Sequence, residues 1–128
     1  MKDIVNPAII IYLPLEDGIF GNTPPGFNIS ITEVNLDSTW YTIQGNVTQY
    51  PLTGTIGTID QDAWNAALEG QITIIFYAQD RAGNIGTETV IVIKRIPSQP
   101  SIPGYNMYLL YSIVFIGLII TLQKKHKS

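Results

Sequence analysis

The segment from Tyr105 to Leu122, YNMYLLYSIVFIGLIITL, constrains this chain more than any other. Only Asn106, Ser112 and Thr121 interrupt its apolar run, and no charged residue occurs between Arg95 and Lys124. Coiled as an α-helix it rises about 27 Å, against a hydrocarbon core of about 30 Å. A helix on a globular core normally keeps a polar stripe. This one has almost none, which disfavours a buried core helix. In lipid the segment satisfies its own backbone groups and needs no further partner. A transmembrane helix over 105–123 is therefore expected, with the lipid bilayer as the first partner. Tyr105, Tyr108 and Tyr111 crowd one end, as interfacial aromatics do. Lys124, Lys125 and Lys127, beside His126, can snorkel at the other. The basic tail 124–128 sets a single-pass orientation in the cell membrane, C-terminus cytoplasmic and domain extracellular. It also argues against a cleaved GPI-type tail, which stays hydrophobic to its end. The same lysines weigh against a tail-anchored protein with its body in the cytosol.

The rest of the charge lies elsewhere. Residues 1–100 hold all ten acids and only Lys2, Arg81, Lys94 and Arg95 as bases, a balance of −6; the tail adds +3 to give the net −3. An acidic body is a poor partner for phosphate backbones, so no nucleic acid is expected. The absence of cysteine excludes disulfides, thiolate metal sites and cysteine nucleophiles, and a single histidine excludes a multi-histidine metal site. The opening MKDIVNPAIIIYLPL does not resemble a secretory signal peptide, because Asp3 follows Lys2 and Pro7 and Pro14 bracket the short apolar run. Three expectations follow: a fragment of a longer secreted protein, a misassigned start, or a span that itself directs insertion.

Residues 1–96 read as strands. Phe27-Asn-Ile-Ser-Ile-Thr32 alternates apolar and polar without error, the pattern of a half-buried strand. Residues 8–13 form a β-branched run whose ends Pro7 and Pro14 set. Residues 40–44 are a third candidate, ended by Gly45-Asn46, and Trp40 is expected as a central plug of the core. Residues 50–55 are a fourth, confined to an edge by Pro51. Residues 72–94 read as one hairpin about the turn Asp80-Arg-Ala-Gly-Asn84, with Ile72, Ile74, Phe76, Ala78, Val90 and Val92 sharing a face. One short helix interrupts, capped by Asp60, favoured by Asp62 in its first turn, carrying Trp64, Ala67 and Leu68 as its apolar stripe, and ended by Gly70. The expectation is an all-β fold, an antiparallel sandwich of two sheets with one short helix. Residues 97–104 hold closely spaced prolines and read as a stiff linker.

The chemistry on offer is sparse. His126 lies beyond the span and cannot serve as base to a serine of the body. Asp60 and Asp62 could offer oxygens to Ca²⁺ or form a carboxylate pair, but residues two apart at a helix start do not face each other, and capping explains them. Asp80 and Asn84 could also serve Ca²⁺, and a hairpin turn explains them equally. Tyr41, Tyr50, Tyr77 and Trp40 could form an aromatic platform for sugars, though aromatics are common in strands. No catalytic, cofactor or firm metal residue is expected, and no cofactor. Two glycosylation sequons occur, Asn28-Ile-Ser30 and Asn46-Val-Thr48, while Asn22-Thr-Pro does not fit as an acceptor. Asn28 falls on the polar face of its strand, where a glycan could be tolerated.

Two stretches carry a resemblance. Ala63-Trp-Asn-Ala-Ala-Leu-Glu-Gly70 followed by Ile74-Ile-Phe-Tyr-Ala-Gln-Asp-Arg-Ala-Gly-Asn84 resembles the second half of bacterial and archaeal Ig-like surface domains. The likeness is close over 60–94 and loose over 5–96. It implies an Ig-like sandwich serving as an extracellular spacer or adhesion module, with no catalytic residues to carry over. Pro103-Gly104-Tyr105, followed by the span and the lysines, is similar to archaeosortase-type C-terminal sorting signals. That likeness implies a processing motif at these three residues on an archaeal cell. The function expected is a non-enzymatic, membrane-anchored surface module whose partners beyond lipid are surface glycans or neighbouring surface proteins. The alternatives are a carbohydrate- or Ca²⁺-binding module on the same sandwich, and an accessory subunit of a membrane complex held through Ser112 and Gly117.

Overall fold

The computed structural model describes residues 2–98. The predicted span 105–123, the tail 124–128 and most of the linker 97–104 lie outside the described residues. Among the described residues no helix is long and apolar enough to cross a membrane.

Among the described residues eight strands make two sheets, joined by one short helix. The strands are β1 (Ala8–Leu13), β2 (Ile19–Phe20), β3 (Gly26–Thr32), β4 (Leu36–Ile43), β5 (Tyr50–Pro51), β6 (Ile56–Thr58), β7 (Gly70–Asp80) and β8 (Ile85–Lys94); the helix α1 is Gln61–Ala66. One sheet runs β1-β3-β6 and the other β2-β8-β7-β4-β5. All pairs are antiparallel except β2 with β8. The all-β architecture expected from the alternation is therefore present, with one short helix among the described residues.

The local signals act where they are strongest. Pro7 and Pro14 bound β1, since neither can donate to a ladder. In β3, Phe27 and Ile29 are buried while Asn28 and Ser30 are half-buried. The β7–β8 hairpin buries Ile72, Ile74, Phe76, Ala78, Val90 and Val92 together, as the period of two requires. Gly83 takes φ 92° at its turn, a conformation that residues with a Cβ resist. Between the sheets, Phe27 lies 5.5 Å from Phe76 and 6.3 Å from Tyr41, centroid to centroid, in tilted contacts. Each fully buried side chain of this size contributes about 1.5–3 kcal/mol.

Four expectations are corrected. The third strand begins at Leu36, not residue 40, because β4 follows the long β7 almost to its end. Residues 50–55 do not form one strand. Pro51 limits β5 to a two-residue edge, and the chain then crosses to the other sheet as β6. The helix ends at Ala66, because Ala67 turns extended (φ −76°, ψ 140°); Leu68 is left 77% exposed and Gly70 opens β7. Finally, Trp40 is not the plug. It is half-buried on the outer face of its sheet, stacked on Tyr77. Trp64 is the plug, with no exposed surface, its ring edge-on to Phe20 and its Nε1 donating to the Gly21 carbonyl at 2.8 Å.

One buried cation completes this end of the core. Val90, Val92 and Lys94 share the inward face of β8, so the lysine enters where an apolar residue would stand. Its Nζ donates to the carbonyls of Trp64 and Ala67, both at 2.7 Å, and lies 5.5 Å from the Trp64 ring centroid. The last carbonyls of a helix lack intrahelical donors and carry partial negative charge. Lys94 gives the Ala67 carbonyl a donor, joins Ala67 N on the Trp64 carbonyl, and supplies the compensating charge.

Candidate functional site

The chain enters and leaves this unit at opposite poles. Near the β7–β8 turn, Asn84 Nδ2 donates to the Asp3 carbonyl at 3.0 Å. Beside it the Pro7 carbonyl lies against Gly86, where any Cβ would collide with it. At the far end of β8, Arg95 N donates to Phe20 O at 2.8 Å and Ile96 N to Glu69 Oε1 at 2.9 Å. The ten residues of β8 separate the two ends by about 30 Å.

The entry pole carries a cluster of three carboxylates. The carboxylates of Asp3, Glu33 and Asp80 converge to within 4.8 Å of one another. They come from the N-terminal segment, the end of β3 and the end of β7. Asp80 is 1% exposed. Its Oδ1 accepts from Ala82 N and Asn84 N, and its Oδ2 from Asn84 Nδ2, all at 2.9 Å. Burial pushes the Asp80 carboxyl up, but hydrogen bonds donated by the Asn84 side chain and backbone and by Ala82 N outweigh it. The net effect holds it below the ordinary 3.8. Three acidic groups this close repel unless a cation or a shared proton intervenes. Hard oxygen donors of this kind suit Ca²⁺.

The sequence candidates are distributed as follows. Asp80 is in the cluster. Asn84 is beside it, with its Nδ2 donating to Asp80 Oδ2 and to the Asp3 carbonyl. Asp60 is at the other pole, where its Oδ2 accepts from Ala63 N at 2.9 Å as the helix cap. Asp62 is exposed in the first helical turn and forms no group with Asp80. Asp3 and Glu33 were not anticipated. Asn84 and Asp3 meet across 81 positions of sequence, a separation that no local pattern signals.

The four aromatics do not make one platform. Trp40 stacks on Tyr77 outside the sheet, with centroids 5.2 Å apart and planes 6° apart. Tyr41 stacks on Tyr50 at 5.1 Å on the core side, and its hydroxyl oxygen accepts from Asp60 N at 2.7 Å. Neighbouring strand positions point to opposite faces, which separates Trp40 from Tyr41. Burial pushes the Tyr41 hydroxyl above its ordinary 10.0, the Asp60 N–H opposes this, and the negative charges of Asp60 and Tyr50 add to the rise. Asn28 is half-buried in the middle of its sheet, paired with Leu13 on one side and Ile56 on the other. Asn46 is exposed in the β4–β5 loop. Pro103, Gly104 and Tyr105, with the anchor residues Tyr108, Tyr111, Lys124, Lys125 and Lys127, lie outside the described residues.

No protein-family model matches the chain, and no curated protein sequence matches it. Among solved structures, the fold is similar to part of an engineered protein known from its crystal structure, with a TM-score of 0.50 and 17% sequence identity. The match covers 71% of this chain and 20% of that one, so the chain spans about a fifth of that protein's length. At this identity the likeness concerns the fold alone.

Proposed function

We propose that this chain is a non-catalytic module of the cell surface, an Ig-like sandwich that acts as a spacer or adhesion domain and is anchored by a helix over 105–123. In this reading Pro103-Gly104-Tyr105 is a sorting motif, the linker 97–104 holds the domain off the bilayer, and the tail 124–128 stays in the cytoplasm of an archaeal cell. The observation that carries it is the placement of entry and exit at opposite poles of the sandwich. A module threaded end to end adds its full length to a tether, whereas one with adjacent ends adds little. The sheet orders support the Ig-like reading: β1-β3-β6 takes the place of strands A, B and E, and β8-β7-β4 that of G, F and C. Protease treatment of intact cells tests the topology. Release of the domain by cleavage within 97–104 is expected, and a domain left attached in full refutes the exposed orientation.

The convergence of Asp3, Glu33 and Asp80 favours one second reading, a Ca²⁺ site that pins the N-terminal segment to the entry pole. A thermal melt with Ca²⁺ against chelator tests it. A rise in Tm that Glu33→Gln abolishes is expected; identical melts remove the reading.

A further inference from the structure

We propose that Asn46 is an N-linked glycan acceptor of the folded domain and that Asn28, the other sequon, is not. The reaction joins the Asn46 side-chain nitrogen to the anomeric carbon of a lipid-pyrophosphate-linked oligosaccharide. The carbon–oxygen bond to the pyrophosphate breaks, the lipid pyrophosphate leaves with the electron pair, and the amide proton passes to a base of the transferase.

The geometry favours Asn46 on three counts. First, the sequon lies in an exposed loop. Residues 44–49 are all exposed, and Val47 is 90% so. The loop leaves β4 by a tight turn in which Asn46 N donates to Ile43 O at 3.0 Å, with Gln44 at φ 61° and Gly45 at φ 69°, the signs of a type I′ turn. Second, the side chains of the sequon are already arranged. Asn46 Oδ1 accepts from Thr48 N at 3.0 Å and from Thr48 Oγ1 at 3.1 Å. Donors on the carbonyl oxygen draw electron density from the amide and favour loss of its proton. Among the described residues, Asn46 Nδ2 has no hydrogen-bond partner. Third, there is room for a sugar. Asn46 and Val47 border a shallow depression of about 490 Å³ on the outer face, floored by Trp40, Ile75 and Tyr77.

Asn28 differs in its placement. It lies within the central strand of its sheet, paired on both sides. Between Asn28 and Ser30 stands Ile29, 2% exposed, so a transferase must pull β3 out of the sheet to bind this sequon. The separation of the two sites is therefore a property of the fold, since both sequons are intact in the sequence.

In a cell the modification rests on the surface orientation proposed above, because N-glycans are added outside the cytoplasm. The test is made in solution and does not depend on that orientation. The full chain in detergent is incubated with an oligosaccharyltransferase and lipid-linked oligosaccharide, once folded and once denatured, and the products are weighed intact and as peptides. The folded chain is expected to gain one glycan, on the peptide holding Asn46. Asn46→Gln and Thr48→Ala should abolish it, Thr48→Ser should retain it, and Asn28→Gln should leave it unchanged. The denatured chain should accept glycans at both sequons. A folded chain unmodified at Asn46, or modified at Asn28 as readily, overturns the proposal. Either result leaves the surface orientation standing, because protease treatment of intact cells tests that separately.

Discussion

Trp64 and Trp40 form a matched pair of perturbations, one inside the fold and one on its outer face. Trp64→Phe keeps an aromatic ring against Phe20 and beneath Lys94, but removes the N–H that donates to the Gly21 carbonyl at 2.8 Å. Losing that bond and leaving its partner unpaired costs about 1–2 kcal/mol. The smaller ring, at a position with no exposed surface, forfeits about 1 kcal/mol more in packing. The total is about 2–3 kcal/mol. In a domain of this size each kcal/mol moves Tm by about 4–8 °C, so a fall of about 10–20 °C is expected. Trp40→Phe should stay within about 0.5 kcal/mol, because a phenyl ring can still stack on Tyr77 and the site is half-exposed. Thermal melts of the full chain followed by circular dichroism give both values. With one tryptophan left in each variant, fluorescence reports the environment directly. Emission from Trp64 should be blue-shifted and shielded from iodide, and that from Trp40 quenched. Equal falls in Tm, or free quenching of Trp64, would refute the placement of the two residues.

Lys94→Met keeps the apolar stem but withdraws the donor from Trp64 O and Ala67 O; relief from burying a cation offsets part of the loss. A net loss of about 2 kcal/mol in urea unfolding is expected, with an unchanged m value, and a gain in stability would show that desolvation dominates. Gly86→Ala drives a methyl group into the Pro7 carbonyl and should cost about 1–3 kcal/mol while speeding amide exchange at Val5, whose N–H donates to Asp3 Oδ1; unchanged exchange would contradict the contact. Asp80 is held below its ordinary value in the fold, so its contribution is present above the unfolded pKa and lost as pH falls through the lower folded one. Melts across the acid range should therefore show Tm falling below about pH 4, and Asp80→Asn should lower Tm at neutral pH while flattening that acid limb; an acid limb unchanged in the variant would remove Asp80 as its source.

What the sequence discloses, and what it hides, follows from the range of each signal. The strand β1 between its prolines, the alternation of β3 and the β7–β8 hairpin rest on neighbours within a few positions, and the fold keeps them. The face of Trp40 does not rest on neighbours. Trp40 and Tyr41 are both large and aromatic, and only the pairing of Tyr41 with Phe76 and of Trp40 with Tyr77 decides which one enters the core. Lys94 is an intermediate case. The parity of Val90 and Val92 places it inward, but that it meets the end of α1 requires the packing of helix on sheet. Asp80 was legible as a turn residue, whereas Asp3 and Glu33 reach it only through the crossing of the N-terminal segment and the end of β3. The two-residue β2 has no pattern of its own, and its bonds come from β8.

That inconspicuous strand matters if the domain bears load as a spacer. The chain enters beside Gly86 and leaves beyond Lys94, so tension draws β8 toward the exit pole and β1, with β2 behind it, toward the entry pole. Since β2 runs parallel to β8, this motion slides the two strands along each other and does not peel them apart. The bonds from Asp17 N to Ile91 O, Ile93 N to Gly18 O and Arg95 N to Phe20 O then stretch together, at 2.7–2.8 Å each. Peeling would break such bonds one at a time; sliding has to break them as a set. Trp64 reinforces the same seam, because its N–H holds Gly21, directly after β2, and its carbonyl holds Lys94, the last residue of β8. The plug of the core is thus also the cross-link between the entering and leaving strands. Its loss should weaken resistance to pulling more than its share of equilibrium stability suggests.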